Sequence, residues 1–220
     1  MHFLKKNLNG SPFVGVFCAT SDDFTIVPPT ISKKEELEVK NTLETKILKI
    51  TLANSSLIGV LGVMFGKKIV VPEIIEKKEK IFLEEHGLEV KQIHESSAFG
   101  NLVALNEHGG IASTLLKKTT VDEMEKFFEL KIHQKDIAGS NIVGACIRVN
   151  NTGFVANPRI DEQEFEFLEK TFKVKGFLTT ANYGDKFVGN DMVINNKGVL
   201  IGPITTTHEM ARIDEAFRSE

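Results

Sequence analysis

What this 220-residue sequence has little of narrows its function before any motif is read. Its two cysteines, Cys18 and Cys146, are too few for a disulfide framework or a thiolate metal cluster, and they suit a reducing compartment. There is no basic excess: 27 Lys and Arg stand against 30 Asp and Glu, for a formal net charge of −3. A protein gripping nucleic acid mainly by its phosphates would carry such an excess, so protein contacts are expected to dominate with any partner. The longest apolar stretch, Leu57 to Phe65, is too short to span a bilayer and is broken by Gly59 and Gly62. The opening HFLKKN has neither an apolar core nor a cleavage site of a leader. A soluble, cytoplasmic chain that touches no membrane is expected.

Reaction chemistry is equally sparse. The six histidines are scattered (His2, His86, His94, His108, His133, His208), none paired at metal-binding helical spacing and none in a readable acid–His–Cys cluster. Gly59, Gly62 and Gly66 lack the Lys-Ser pair and helix of a phosphate loop. No catalytic, cofactor-binding or metal-ligating residue is assigned, and no cofactor is expected.

What is present is a repeat. Gly15, Gly59, Gly100, Gly144 and Gly189 each stand near the start of an apolar run, 44, 41, 44 and 45 residues apart. Nine residues after the last three come Gly109, Gly153 and Gly198, each closing an asparagine-led turn at Asn106, Asn150 and Asn195. Asn and Gly tolerate positive φ, so these turns are read as β-hairpins. The flanking strings VALNEHGGIAST, IRVNNTGFVANP and MVINNKGVLIGP align without gaps.

A helix follows each second arm. Capping pairs three residues apart mark four starts, at Ser32 with Glu35, Thr120 with Glu123, Asp161 with Glu164 and Thr206 with Glu209. Third strands are read at 47–52, 90–93, 130–133 and 174–178. The fifth unit has none, whereas HFLKKNLNGSPFVG at the start has the layout of such a strand and its exit loop. The expectation is an α/β propeller of five ββαβ units, about 11–54, 55–96, 97–140, 141–184 and 185–220 plus 1–10, in one domain over 1–220. The N-terminal strand would complete the last blade and close the ring, leaving no open sheet edge between modules. The anchor glycines are read as points where first strands crowd the axis, and Cys18 and Cys146 as small buried residues inside those strands.

A five-fold ββαβ propeller resembles the pentein fold. Phe99-Gly-Asn-Leu, Ile142-Val-Gly with VNNTGFVANP, and TTANYGDKFVGNDMVINNKGVLIG make the chain similar to the translation initiation factor 6 family in its archaeal form. That resemblance implies a monomeric anti-association factor on the intersubunit face of the large ribosomal subunit. It would be held mainly by a ribosomal protein, with rRNA near the sarcin–ricin loop secondary, and would exclude the small subunit. The regulated C-terminal tail of eukaryotic members is not expected in a chain ending at Glu220. The alternative is a pentein-fold guanidino-modifying enzyme with a cysteine nucleophile, for which neither cysteine has a visible base.

The residues expected to meet a partner lie in the polar loops between units. They are Asn9, Ser55, Ser97 (with Ser96), Asn141, Asn182, Tyr183 and Gly184, which repeat geometry gathers at one end. Tyr183, the only tyrosine, is the candidate anchor. Asn101 joins them because it interrupts a column otherwise held by Val16, Val60 and Ala145, although Asn190 shares the feature.

Overall fold

The computed structural model describes residues 1–95 and 97–218. The chain opens with β1 (His2–Lys5) and a single helical turn, α1 (Val14–Phe17). Then come β2 (Ala19–Thr20), β3 (Phe24–Val27), α2 (Lys33–Leu43) and β4 (Lys46–Lys49). The second unit is α3 (Ile58–Leu61), β5 (Val63–Phe65), β6 (Lys68–Pro72), α4 (Lys77–Glu85) and β7 (Glu89–Ile93). The third is α5 (Phe99–Leu102), β8 (Val103–Asn106), β9 (Gly109–Ala112), α6 (Lys118–Phe128) and β10 (Ile132–Gln134). The fourth is α7 (Val143–Cys146), β11 (Ile147–Val149), β12 (Phe154–Ala156), α8 (Glu162–Phe172) and β13 (Gly176–Leu178). The fifth is α9 (Val188–Asp191), β14 (Met192–Ile194), β15 (Gly198–Ile201) and α10 (Thr207–Phe217).

Among the described residues these strands form five three-stranded sheets. In each of the first four units a hairpin supplies two antiparallel strands, and the third strand lies parallel to the second. In the fifth sheet that third place belongs to β1, parallel to β15, with His2 opposite Gly198 and Lys5 opposite Ile201.

Each long helix packs in a core shared by its own sheet and the sheet of the unit before it. Leu83 of α4, for example, shares a core with Phe24, Ile26 and Leu48 of the first sheet. Val39 and Leu43 of α2 meet Val193 and Leu200 of the fifth. Each fully buried aliphatic side chain of this kind contributes roughly 1.5–3 kcal/mol. The helix starts follow capping chemistry at Ser32, Asp161 and Thr206, whose side chains accept from the amides of Glu35, Glu164 and Glu209. The fourth expected pair fails. The cap of α6 is Lys117, and Thr120 is buried one turn inside, donating to Glu95 at 2.6 Å.

Two further expectations are corrected. The anchor glycines stand in single helical turns rather than in strands, and Cys18 and Cys146 end those turns. The turns touch in sequence. A Cβ on Gly59 would lie 1.9 Å from the carbonyl oxygen of Gly15, and one on Gly100 2.0 Å from that of Gly59. Gly144 meets Gly100 at 2.2 Å, Gly189 meets Gly144 at 2.1 Å, and Gly15 meets Gly189 at 2.1 Å, which returns to the start. The hairpin glycines are likewise needed for room and not for positive φ. A Cβ on Gly198 would sit 2.0 Å from the Thr42 oxygen, and one on Gly153 1.8 Å from that of Ala216.

Candidate partner-binding face

Strand direction gives the propeller two unlike ends. First strands run away from the glycine turns, while second and third strands run back toward them. The loops between units and the turns entering the long helices therefore share one end, and the hairpins occupy the other.

At the hairpin end the asparagines are interior ties. Asn106, Asn150 and Asn195 are buried. Nδ2 of Asn106 donates to the carbonyls of Asn150 (3.1 Å) and Phe172 (2.9 Å), and Nδ2 of Asn150 to that of Asn195 (3.1 Å). Asn195 continues to Ser21 (3.1 Å) and Leu43 (2.7 Å), so the relay runs from the third unit through the fifth to the first. A parallel row joins the amide of Glu107 to Asn151, that of Asn151 to Asn196, and that of Asn196 to Asp22.

At the loop end, among the described residues, four connections close with the same backbone bridge: Leu8 with Ser11, Leu52 with Ser55, Ile137 with Ser140, and Ala181 with Asp185. Positive φ recurs at Asn9 and Gly10, Ala53 and Asn54, Ala138 and Gly139, and Asn182 to Gly184. Pairs of left-handed residues make a type I′ turn. The helix-start glutamates hold these turns from beneath. Glu79 accepts from the amides of Ala53 (2.8 Å) and Asn54 (3.0 Å), and Glu164 from that of Ala138 (3.1 Å). Glu209 accepts from the amides of Tyr183 (3.2 Å) and Gly184 (2.8 Å). Burial works against ionised Glu209, but bonds from Thr206, Thr180 and Gly184 outweigh it and hold the pKa below the usual range. This second duty of the capping glutamates is invisible in a capping pattern.

Of the residues expected to meet a partner, Asn9, Asn141, Tyr183 and Gly184 are exposed, and Ser55, Ser97 and Asn101 are half-buried. Ser96 lies outside the described residues. Asn182 departs from the expectation. It is 6% exposed, with its amide turned inward onto Asp191 and the Pro12 carbonyl, because three hydrogen-bonding neighbours lie beneath it. It supports the face from behind.

Of the apolar part of this end, sequence reading found only Tyr183. Tyr183 is 81% exposed, Leu115 59%, Ile204 54% and Ile74 51%, with Leu57 and Phe13 also open. Ile74, Leu115 and Ile204 all stand fifteen positions after their anchor glycines, a shared offset that could have revealed them. In the second unit Ile74 stands ahead of α4, which begins only at Lys77.

The axis holds a cavity of about 80 Å³ lined by Cys18, Arg148 and mostly apolar side chains. Burial pushes the Cys18 thiol up to about 12 despite the nearby Arg148 charge, so it is no thiolate nucleophile at neutral pH. Burial also raises Cys146. Arg148 donates to the carbonyls of Met192 (2.9 Å) and Gly189 (2.5 Å), and burial lowers its pKa to about 10, which leaves it charged. Among the described residues no cluster of His, Cys, Asp or Glu could hold a metal ion, and no helix is long and apolar enough to cross a membrane.

Five ββαβ units with a loop face at one end define a pentein-type α/β propeller. The N-terminal domain of ArgZ, a cyanobacterial arginine dihydrolase, shares this fold with a TM-score of 0.58 at 13% identity, over 86% of this chain and 76% of that one. Residues 3–216 match the eIF-6 family, and the chain belongs to it. Translation initiation factor 6 of Methanocaldococcus jannaschii is 34% identical over 222 residues, 97% of each chain. That of Pyrococcus horikoshii is 27% identical over 99% of each, and that of Thermoplasma acidophilum 32% identical over 97% of this chain and 98% of its own.

Proposed function

We propose that this translation initiation factor works in the cytoplasm by binding the large ribosomal subunit through its loop face. While bound, it blocks the small subunit sterically. It acts as a monomer, without cofactor or turnover, and grips chiefly a ribosomal protein with rRNA secondary. The observation that carries the reading is the loop end itself. Matching turns fixed from beneath by glutamates surround exposed apolar side chains, including an aromatic. Rigid polar turns around aromatic and aliphatic anchors lose little entropy when they dock. The net charge of −3 agrees with protein, more than phosphate, as the main contact.

Cosedimentation with isolated archaeal large subunits tests the proposal, followed by light scattering on addition of small subunits. Comigration with large subunits and a block of joining are expected. Equal binding to small subunits, or joining that proceeds in the presence of saturating protein, defeats it. A Cys18→Ser, Cys146→Ser double variant separates it from the guanidino-enzyme alternative, because a steric blocker keeps its effect without thiols.

A further inference from the structure

Two residues after each anchor glycine the first four units carry Phe17, Leu61, Leu102 and Cys146, and the fifth carries Asp191. Asp191 is fully buried, and its Oδ2 has no hydrogen-bond partner among the described residues. Its Oδ1 accepts from Nδ2 of Asn182 at 2.6 Å, and the same Nδ2 donates to the Pro12 carbonyl at 2.9 Å. Thr205 completes the clamp: its Oγ1 donates to Asn182 Oδ1 at 3.3 Å and accepts from the Asn182 amide at 3.1 Å. Asn182 is the left-handed residue directly before Tyr183, the most exposed large apolar residue of the loop face.

We propose that Asp191 is a positioning residue for the Tyr183 turn: with a proton on Oδ2 it keeps the Asn182 clamp dry and fixed, and when ionised it loosens that turn. A buried carboxylate with one bare oxygen is costly, and opening the clamp to solvent is the nearest way to hydrate it. The surrounding charges do not cancel it. Asp185 in the loop and Glu209 at the start of α10 add negative charge, while Arg148 on β11 is committed to backbone carbonyls. Cys18 and Cys146, at the ends of the flanking turns, remain thiols. Lys5 of β1 donates to the Thr205 carbonyl at 2.5 Å. Burial first, then Asp185, raises the Asp191 pKa to about 7, which places the change within the physiological range.

The consequence for binding rests on the loop face being the contact surface, but the tether can be read without ribosomes. Tyr183 is the only tyrosine and the chain has no tryptophan, so intrinsic emission reports on this turn alone. The full chain is titrated from about pH 5.5 to about 8.5 with emission recorded. A transition near pH 7 is expected, abolished in Asp191→Asn and retained in His208→Gln, which removes the histidine beside Glu209. If Asp191→Asn does not fold, Asp191→Cys installs the thiol that the fourth unit carries at this position. A flat wild-type profile, or an unchanged transition in the Asp191 variant, overturns the tether. Large-subunit affinity should fall roughly fivefold between pH 6 and 8 in the wild type and stay level in the variant. Parallel pH dependence in both proteins overturns the link to binding. Emission that switches in a protein that binds subunits at no pH defeats the proposed function and leaves the tether standing.

Discussion

The two ends of this propeller use the same residue type for opposite purposes. At the hairpin end Asn106, Asn150 and Asn195 bury their amides and carry them from one unit into the next. At the loop end Asn9 and Asn141 face solvent, and Asn54 donates to Glu76 at 3.1 Å in an exposed pair. The first end joins units, and the second holds turns still while leaving apolar side chains uncovered. Cohesion and recognition are thus separated along the axis, so a surface side chain at the loop end can change with little effect on the ring contacts.

The glycines give the sharpest way to break that contrast. Gly198→Ala, at the hairpin end, forces a methyl group against the Thr42 carbonyl, backbone against backbone, and is expected to cost about 3 kcal/mol in urea unfolding. Gly10→Ala meets nothing within 4 Å and costs only its positive φ of 76°, about 1 kcal/mol. Equal losses at the two positions would show that the ends are not energetically distinct. The asparagines come next. Asn195→Ala removes both donors to the buried Ser21 and Leu43 carbonyls and the acceptor of the Lys197 and Gly198 amides. A loss of about 2–3 kcal/mol is expected, whereas Asn54→Ala should cost less than about 0.5 kcal/mol.

The period of the repeat, the hairpins and three of the four helix caps were legible, because each depends on spacing along the chain. The direction of a side chain is not. Asn195 and Asn182 sit in similar polar strings, yet what buries them is Leu43 in one case and Pro12 in the other, both more than 150 residues away. The helical turns at the glycines span four residues, too few for a helical period to show against a strand. Tyr183 was legible as a lone aromatic in a turn. The apolar rim was not, because Ile74, Leu115 and Ile204 look like helix-entry residues until strand direction puts them at the loop end.

The clamp beneath Tyr183 carries its own stability signature. The Asp191 pKa is raised from 3.8 to about 7. Between those values the unfolded chain has lost this proton and the native chain keeps it. Asp191 therefore favours the folded state at low pH, and this contribution declines by about 1.4 kcal/mol per pH unit until the native group ionises near 7. Asp191→Asn should flatten that slope and stabilise the protein by about 2 kcal/mol at pH 8, measured by denaturant unfolding at several pH values. A variant less stable than wild type at pH 8 would mean that ionised Asp191 is well accommodated.

The smallest effect on folding is expected at Tyr183, and it isolates recognition from cohesion. With 81% of its surface open, the ring adds almost nothing to the core, and the turn is held by the Tyr183 and Gly184 amides on Glu209, which a side-chain change leaves intact. The left-handed φ of 65° is no easier for alanine than for tyrosine. Tyr183→Ala should therefore shift stability by less than about 0.5 kcal/mol while weakening large-subunit binding by about tenfold or more, as removal of an interface aromatic does. Thermal unfolding and cosedimentation on the same preparation decide it. If binding is kept, the apolar rim at Leu115 and Ile204, rather than the tyrosine, carries the contact; if stability falls with binding, the separation of the two ends is lost.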